Sequence, residues 1–222
     1  MGLLLLVRHG QASFGAADYD VLSETGWEQS RVLGRWLREH GVTPDAVVAG
    51  GMRRHRETVE AMLTGLSSEV EPTIDPGWDE FDHLAVVAAY PDLPAGELDR
   101  RGFQRVFEGA TARWTSGAHD DEYAESWGGF VGRVDASLVV AAAAAGKGST
   151  VVVVSSGGPI AAACAGLVDP SADPVGRSRL WAPFNTTYVN TGVTRVVVGG
   201  SGARLLTFNE HSHLAEDLLT YR

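Results

Sequence analysis

The chain has 222 residues, of which 44% are hydrophobic and 21% are charged, a composition typical of a globular protein with a sizeable core. Its formal net charge of −10 at pH 7 argues against nucleic acid or an anionic membrane as a partner. The single cysteine, Cys164, excludes an internal disulfide, and its small apolar neighbours indicate a packing residue. The apolar run Leu3–Val7 is too short for a signal segment or a membrane span, so we expect a cytoplasmic protein.

The first third of the chain alternates short apolar runs with helical patterns. Leu3–Val7 is continuously apolar, as expected of a strand buried on both faces of a sheet. A helix is predicted over Glu24–His40, with Ser23 as its N-cap. Residues 46–49 predict a second buried strand, and an amphipathic helix is predicted to follow over residues 52–66.

The middle of the chain combines an irregular stretch with two predicted helices. Four prolines fall within residues 71–101 and predict irregular structure there. Helices are predicted over residues 102–118 and 122–145, the second because apolar residues recur at helical spacing. Since no repeat, low-complexity tract or linker divides the chain, we predict a single domain over residues 1–222.

The last third contains a third buried strand and a predicted hairpin. Thr150–Val154 runs into a glycine-containing turn, and Pro159 suits the first turn of the helix that follows. Strands are predicted over residues 186–190, 194–198 and 203–208, with a glycine-rich turn between the last two. Buried strands that alternate with helices predict an α/β fold: a three-layer α/β/α sandwich whose central sheet is mostly parallel, with helices on both faces.

Polar residues follow three of the predicted buried strands, at positions 8–10, 50–54 and 156–158. Ligands of open α/β sheets bind beyond the carboxyl ends of the parallel strands, so these segments are expected to meet at one site. Arginine binds a phosphoryl group in a bidentate manner, and a neutral imidazole such as that of His9 can accept one as a nucleophile. The basic residues 53–56 begin a predicted helix, where they oppose the macrodipole and indicate that an anion binds there.

Five segments, in order along the chain, resemble the signature segments of the histidine phosphatase (phosphoglycerate mutase-like) superfamily. They are Leu5–Gln11, Leu22–Ser30, Met52–Thr58, Trp78–Asp82 and Val152–Ile160. The match spans nearly the whole chain, and five ordered segments are far more specific than a single Arg-His-Gly.

The resemblance implies a reaction that passes through a phosphohistidine. His9 is then the nucleophile that is transiently phosphorylated, Arg8 and Arg54 hold the phosphoryl group, and Glu80 gives a proton to the leaving group. No metal or other cofactor is implied, because the two arginines neutralise the phosphoryl charge. The residues expected to bind the phosphate are Arg8, Gly10, Gln11, Arg54, Ser156 and Gly157.

The chain departs from the family pattern at two positions. Ser156 stands where the family has a second histidine, which donates a hydrogen bond to the phosphoryl oxygens. A serine hydroxyl donates only a neutral bond, and the loss of a preorganised donor costs on the order of 10²–10³ in rate. Gly15 stands where many relatives have an asparagine that contacts the phosphate. Whether His83, His211 or His213 compensates for the missing histidine stays open.

The resemblance implies a metal-independent phosphomonoester hydrolase that acts on a small phosphorylated substrate. Residues 71–120 are expected to cover the site and select the leaving group. Ser156 keeps open a second interpretation, a pseudo-phosphatase that binds a phosphorylated ligand with little or no turnover. Phosphoglycerate mutase activity is a third, but the short spacing between Gly10 and Leu22 favours the phosphatase type. A homodimer formed through an exposed strand edge also stays open.

Overall fold

A computed structural model describes residues 1–13, 20–94, 96 and 98–221 of the chain. The departure from the family pattern at Gly15 lies outside the described residues.

A mixed sheet forms the centre of the molecule, and in the described part of the chain it has six strands in the order β3-β2-β4-β1-β5-β6. Strands β3, β2, β4 and β1 run parallel to one another, while β5 is antiparallel to β1 and to β6. The predicted mostly parallel sheet is therefore confirmed. The strands are β1 (Gly2–Arg8), β2 (Ala46–Ala49), β3 (Thr73–Ile74), β4 (Thr150–Ser155), β5 (Val193–Gly199) and β6 (Gly202–Glu210).

Helices cover both faces of this sheet. None of those in the described residues combines the length and the apolar character that crossing a bilayer requires. The helices are α1 (Glu24–Glu39), α2 (Arg53–Leu66), α3 (His83–Ala88), α4 (Arg100–Thr115), α5 (Trp127–Ala144), α6 (Gly157–Val168) and α7 (Pro174–Thr186).

The side chains of β1 divide the core into two layers. Leu4 and Leu6 point to one face, where they join a cluster with α5 and α6. Leu5 and Val7 point to the other face and pack with apolar residues of α1 and α2. This alternation, which follows from the two-residue period of a strand, buries all four side chains almost completely. The predicted three-layer sandwich is confirmed.

An aromatic cluster anchors the segment between β3 and α5 to the core. Phe81 stacks on Trp114 of α4, with 4.7 Å between the ring centroids, and meets Phe130 edge-on at 5.7 Å. Trp181 of α7 packs against Phe81 and donates a hydrogen bond from Nε1 to the carbonyl of Gly158 at 2.9 Å. The cluster therefore fixes the loop that carries Glu80 next to the start of α6.

Two predictions for the irregular stretch and the helix after it need correction. Residues 71–101 are not wholly irregular, because they contain β3, a short 3-10 helix over Pro76–Trp78 and α3. The four prolines lie outside the strands and α-helices, in positions where the fixed φ and missing N–H of proline are tolerated. The helix predicted from residue 122 begins at Trp127, since the Ser126 side chain caps it by accepting a hydrogen bond from the Gly129 N–H.

The strand predicted over residues 186–190 is wrong. Its first residue ends α7, and the rest form the connection to β5. The start signal of α7 is present in the sequence: Asp173 caps the helix through the Gly176 N–H, and Pro174 occupies its first turn. The hairpin of β5 and β6 is confirmed, and Gly202 takes a positive φ of 96° in its turn.

Candidate active site

A cavity of about 770 Å³ opens at the carboxyl ends of β1 and β4. Arg8 and His9 reach it from β1, Arg54 from the first turn of α2, Glu80 from the loop after the 3-10 helix, and Gly157 from the start of α6. These residues come from separate segments of the chain, and the parallel sheet brings them to one edge.

The cavity is also lined by aromatic side chains. Phe81, His83, Phe103, Gln104 and Phe107 line it, all from the segment predicted to cover the site. Asn185, Tyr188 and Tyr221 complete the described lining. The cavity lining therefore combines two guanidinium groups with several aromatic side chains.

His9 is held as a neutral imidazole, and among the described residues only its Nδ1 has a hydrogen-bond partner. Its Nδ1 lies 2.6 Å from the carbonyl oxygen of Gly10, which fixes the proton on Nδ1. Burial, and then the charges of Arg54 and Arg8, hold the pKa of His9 well below its usual range. The Nε2 lone pair is thus available at neutral pH, as a nucleophile requires.

The backbone around His9 is fixed from several directions. The His9 carbonyl accepts a hydrogen bond from Asn190 Nδ2 at 3.1 Å, and the Gly10 N–H donates to Thr58 Oγ1 at 3.0 Å. A Cβ at Gly10 would lie 2.4 Å from the Gly26 carbonyl oxygen, so only glycine lets α1 approach this turn. These contacts therefore hold the backbone of His9 in place.

Both arginines of the cavity are oriented by fixed acceptors. The Arg8 guanidinium donates to the carbonyl of Tyr188, and to that of Tyr221 at 3.1 Å. Arg54 is 8% exposed and donates from Nη1 to Asp20 Oδ1 at 2.7 Å. Held in this way, the guanidinium groups flank His9 with little conformational freedom left to lose when an anion binds.

Two carboxylates of the chain already lie at the basic start of α2. Asp20 accepts a hydrogen bond from the Arg53 backbone N–H at 2.8 Å, and Asp79 accepts one from the Gly51 N–H at 2.5 Å. The Arg53 side chain, which is 53% exposed, pairs with Glu57. The cations of this turn are therefore partly compensated before any ligand binds.

Glu80 is half-buried at the start of α6. Its Oε2 accepts a hydrogen bond from the Gly158 N–H at 3.1 Å. A Cβ at Gly158 would lie 2.1 Å from Glu80 Oε1, so a larger residue would require the carboxyl group to shift. Burial raises the pKa of Glu80 above its usual value. A carboxyl group with this environment retains its proton to higher pH, as a general acid should.

Ser156 takes the N-cap position of α6, but its hydroxyl makes no capping bond. Instead Ser156 Oγ lies 2.8 Å from His55 Nε2 and accepts a hydrogen bond from Arg54 Nη2 at 3.3 Å. His55 is fully buried, and its ring centroid lies 5.8 Å from that of His9. From the sequence, His55 is identified only as part of the basic start of a helix, because the family segment allows any residue at its position.

The three histidines considered as replacements lie in different surroundings. His83 lines the cavity and packs edge-on against Phe107, and burial lowers its pKa. His213 bonds Thr191 Oγ1 at 3.0 Å outside the cavity lining, and burial lowers its pKa to about 4. His211 is exposed and bonds the Asn209 carbonyl. Of these three, His83 alone reaches the cavity.

Three residues predicted to bind phosphate do not line this cavity: Gly10, Gln11 and Ser156, which is 1% exposed. Gln11 is turned toward α1: its Oε1 accepts a hydrogen bond from Ser23 Oγ at 2.8 Å, and its N–H donates to Gln29 Oε1. Gly10 lies against the same helix. Gly10 and Gln11 support the turn that carries His9, whereas Gly157 lies in the lining itself.

The fold is similar to several solved structures. A phosphoserine phosphatase variant from Entamoeba histolytica, in complex with phosphoserine, matches with a TM-score of 0.64, 18% identity, and coverage of 97% of this chain and 100% of that one. Bacillus stearothermophilus YhfR matches with a TM-score of 0.66, 21% identity, and coverage of 95% and 98%. A mycobacterial glucosyl-3-phosphoglycerate phosphatase in a VO3 complex matches with a TM-score of 0.62, 23% identity, and coverage of 94% and 99%.

Two sequence comparisons give different results. None of the curated proteins compared with this chain matches it. The family model of the histidine phosphatase superfamily (branch 1) matches residues 4–211, which include every segment that contributes Arg8, His9, Arg54, Glu80 and Ser156. On this match and this fold, the chain belongs to the histidine phosphatase superfamily.

Proposed function

We propose that this protein is a phosphomonoester hydrolase that works through a phosphohistidine intermediate on His9. The observation that carries the proposal is a neutral His9 whose Nε2 has no hydrogen-bond partner among the described residues, in one cavity with Arg8, Arg54 and the half-buried carboxyl of Glu80. Membership of the family, and phosphatases among the proteins of similar fold, support it.

In the first half-reaction, His9 Nε2 attacks the phosphorus in line with the leaving group. The N–P bond forms as the bond between phosphorus and the leaving oxygen breaks. Arg8 and Arg54 neutralise the equatorial oxygens, and the N-terminus of α6 at Gly157 adds backbone donors. Glu80 gives its proton to the departing oxygen, and its raised pKa keeps that proton available.

In the second half-reaction, water attacks the phosphorus of phospho-His9. Glu80, now ionised, takes a proton from this water, and the N–P bond breaks to release inorganic phosphate and restore neutral His9. The two arginines supply the charge compensation that metal ions provide in other phosphoryl-transfer sites. The proposed reaction therefore needs no cofactor.

We further propose that residues 71–120 select the substrate within a single domain. They contribute Phe81, His83, Phe103, Gln104 and Phe107 to the cavity that also contains Arg8 and Arg54. Similar folds belong to enzymes named for phosphoserine and for a glucosylated phosphoglycerate, so the substrate is proposed to be a small phosphorylated molecule.

A phosphate-binding protein without turnover is the second candidate, and Ser156 is the observation that favours it. To separate the two, hydrolysis of p-nitrophenyl phosphate is measured from about pH 5 to about pH 8 for the wild type and for His9→Ala. Turnover by the wild type that disappears in His9→Ala is expected. Saturable phosphate binding with no turnover above the His9→Ala background would instead establish the binding protein.

A further inference from the structure

The buried pair of Ser156 and His55 lies next to the proposed phosphoryl site. Ser156 is 1% exposed and His55 is 0% exposed, so neither side chain meets bulk solvent. They are joined at 2.8 Å between Oγ and Nε2, and Ser156 is joined to the cavity-lining Arg54 at 3.3 Å. An imidazole therefore lies one hydroxyl group away from the position where the family has its second histidine.

The surrounding chain makes room for this imidazole. A Cβ at Gly50 would lie 2.2 Å from His55 Nδ1 and 2.8 Å from Asp79 Oδ1, so any larger residue would displace the ring. The short side chain at Ser156 leaves space on the other side. A histidine at position 156 would have to share this fully buried volume with His55. We therefore infer that the space holds one imidazole ring and not two.

The protonation of His55 decides what the Ser156 hydroxyl can do. The hydroxyl has one proton and two lone pairs, and Arg54 uses one lone pair. When neutral His55 carries its proton on Nδ1, which faces Asp79 Oδ1 at 3.8 Å, Nε2 accepts and the hydroxyl proton is consumed by the imidazole. If Nε2 carries a proton and donates, the second lone pair is used and the hydroxyl proton is left for a phosphoryl oxygen.

Among the described residues, three charged or titratable groups face His55. Arg54 comes from α2 and His9 from the end of β1, while Asp79 lies on the other side with Oδ1 3.8 Å from His55 Nδ1. Without a ligand, burial and the charge of Arg54 hold the pKa of His55 well below its usual range. A phosphoryl dianion beside Arg54 would add negative charge on the side opposite Asp79 and would favour an imidazolium between them.

We propose that His55 replaces the missing second histidine: when a phosphoryl dianion binds, His55 takes up one proton from solvent and, through Nε2–H, turns the Ser156 hydroxyl to donate to a phosphoryl oxygen. The proton returns to solvent when phosphate leaves. His55 is a positioning residue, because it acts through Ser156, and its part in turnover rests on the proposed function.

The first test exchanges the two residues. His55→Ala is expected to lower kcat for p-nitrophenyl phosphate by about 10- to 100-fold with a much smaller change in KM, since the donor acts on the transition state. Ser156→His alone is expected to give no gain, because His55 fills the space. The double variant His55→Ala/Ser156→His is expected to recover most of the lost kcat. His40→Gln, which removes an exposed imidazole, is the control.

The second test measures proton uptake without turnover. Calorimetry of orthovanadate binding in two buffers of different ionisation enthalpy is expected to show about one proton fewer taken up by His55→Gln than by the wild type. His55→Gln retains a neutral N–H donor, so it is expected to regain part of the kcat that His55→Ala loses. Because glutamine does not titrate, the dependence of kcat on pH in His55→Gln is also expected to lack the contribution of the His55 ionisation.

Three results would overturn the inference: wild-type kcat in His55→Ala, no recovery in the folded double variant, or equal proton uptake in wild type and His55→Gln. A purely structural role would lower thermal stability in both His55 variants without changing proton uptake. Failure of the proposed function is a different result, namely a wild type without turnover, and the vanadate titration still tests His55 in that case.

Discussion

Replacing Glu80 with glutamine should separate proton donation from every other contribution of the site. The Oε2 atom of Glu80 accepts a hydrogen bond from the Gly158 N–H at 3.1 Å, and an amide oxygen can accept the same bond. The variant can retain this contact with α6 and loses the transferable proton, together with the hydrogen bond that Glu80 Oε1 accepts from the Phe81 N–H at 3.2 Å, because an amide NH2 cannot accept it. Proton transfer by a positioned side chain contributes about 10²–10⁴-fold, or about 2.7–5.4 kcal/mol at about 1.36 kcal/mol per tenfold.

The assay is a series of phosphomonoesters whose leaving alcohols range from p-nitrophenol to simple alkyl alcohols. The parameter to compare is kcat/KM, because it reports the formation of phosphohistidine. By contrast, kcat also includes hydrolysis of the intermediate, where Glu80 acts as a base for every substrate. We expect Glu80→Gln to lower kcat/KM by about 10²–10⁴-fold for alkyl esters and by less than about tenfold for the p-nitrophenyl ester, which can leave without a proton.

The matched control is Glu60→Gln, which makes the same change at an exposed position of α2 and should leave all substrates unaffected. Equal slowing of kcat/KM across the series by Glu80→Gln would refute the role of Glu80 as the acid. The carboxylate would then act only by holding the start of α6 in place.

Three further predictions concern the supports of the site. Arg54→Ala should weaken orthovanadate binding by about 10²-fold or more, since it removes a buried charge partner, whereas Arg56→Ala at an exposed position should not; equal affinities by calorimetry would remove Arg54 from the phosphate site. Gly158→Ala should lower kcat, because the new Cβ would lie 2.1 Å from Glu80 Oε1; unchanged kinetics would show that Glu80 is free to move. Because burial raises the pKa of Glu80, that group favours folding below its unfolded pKa and loses this advantage as pH rises through the folded value. Glu80→Gln should therefore raise the melting temperature more at about pH 8 than at about pH 4, and a pH-independent difference would contradict this.

The parts of the fold that the sequence predicts well are those with strong local patterns. Leu3–Val7 and Thr150–Val154 are continuous apolar runs, and they form the two central parallel strands. Ser23 caps α1 as expected, by accepting a hydrogen bond from the Gly26 N–H. Because the carboxyl ends of parallel strands meet at one edge, the neighbourhood of His9 and Arg54 also follows from the pattern.

The features that the sequence does not reveal depend on contacts between distant segments. Ser156 and His55 are 101 residues apart, and neither position has a motif that joins it to the other. From the sequence alone, only His83, His211 and His213 are therefore considered as replacements for the missing second histidine. Their positions in the chain gave no information on whether they reach the site, since tertiary packing alone decides that.

The most direct test of the central claim is to trap the phosphorylated enzyme. Wild-type protein is mixed with a 32P-labelled phosphomonoester, quenched in alkali and digested, and the labelled peptide is identified. We expect an alkali-stable, acid-labile phosphoryl group on His9, formed in the first turnover and absent in His9→Ala. Turnover without any labelled His9, or a label that persists in His9→Ala, would contradict the account.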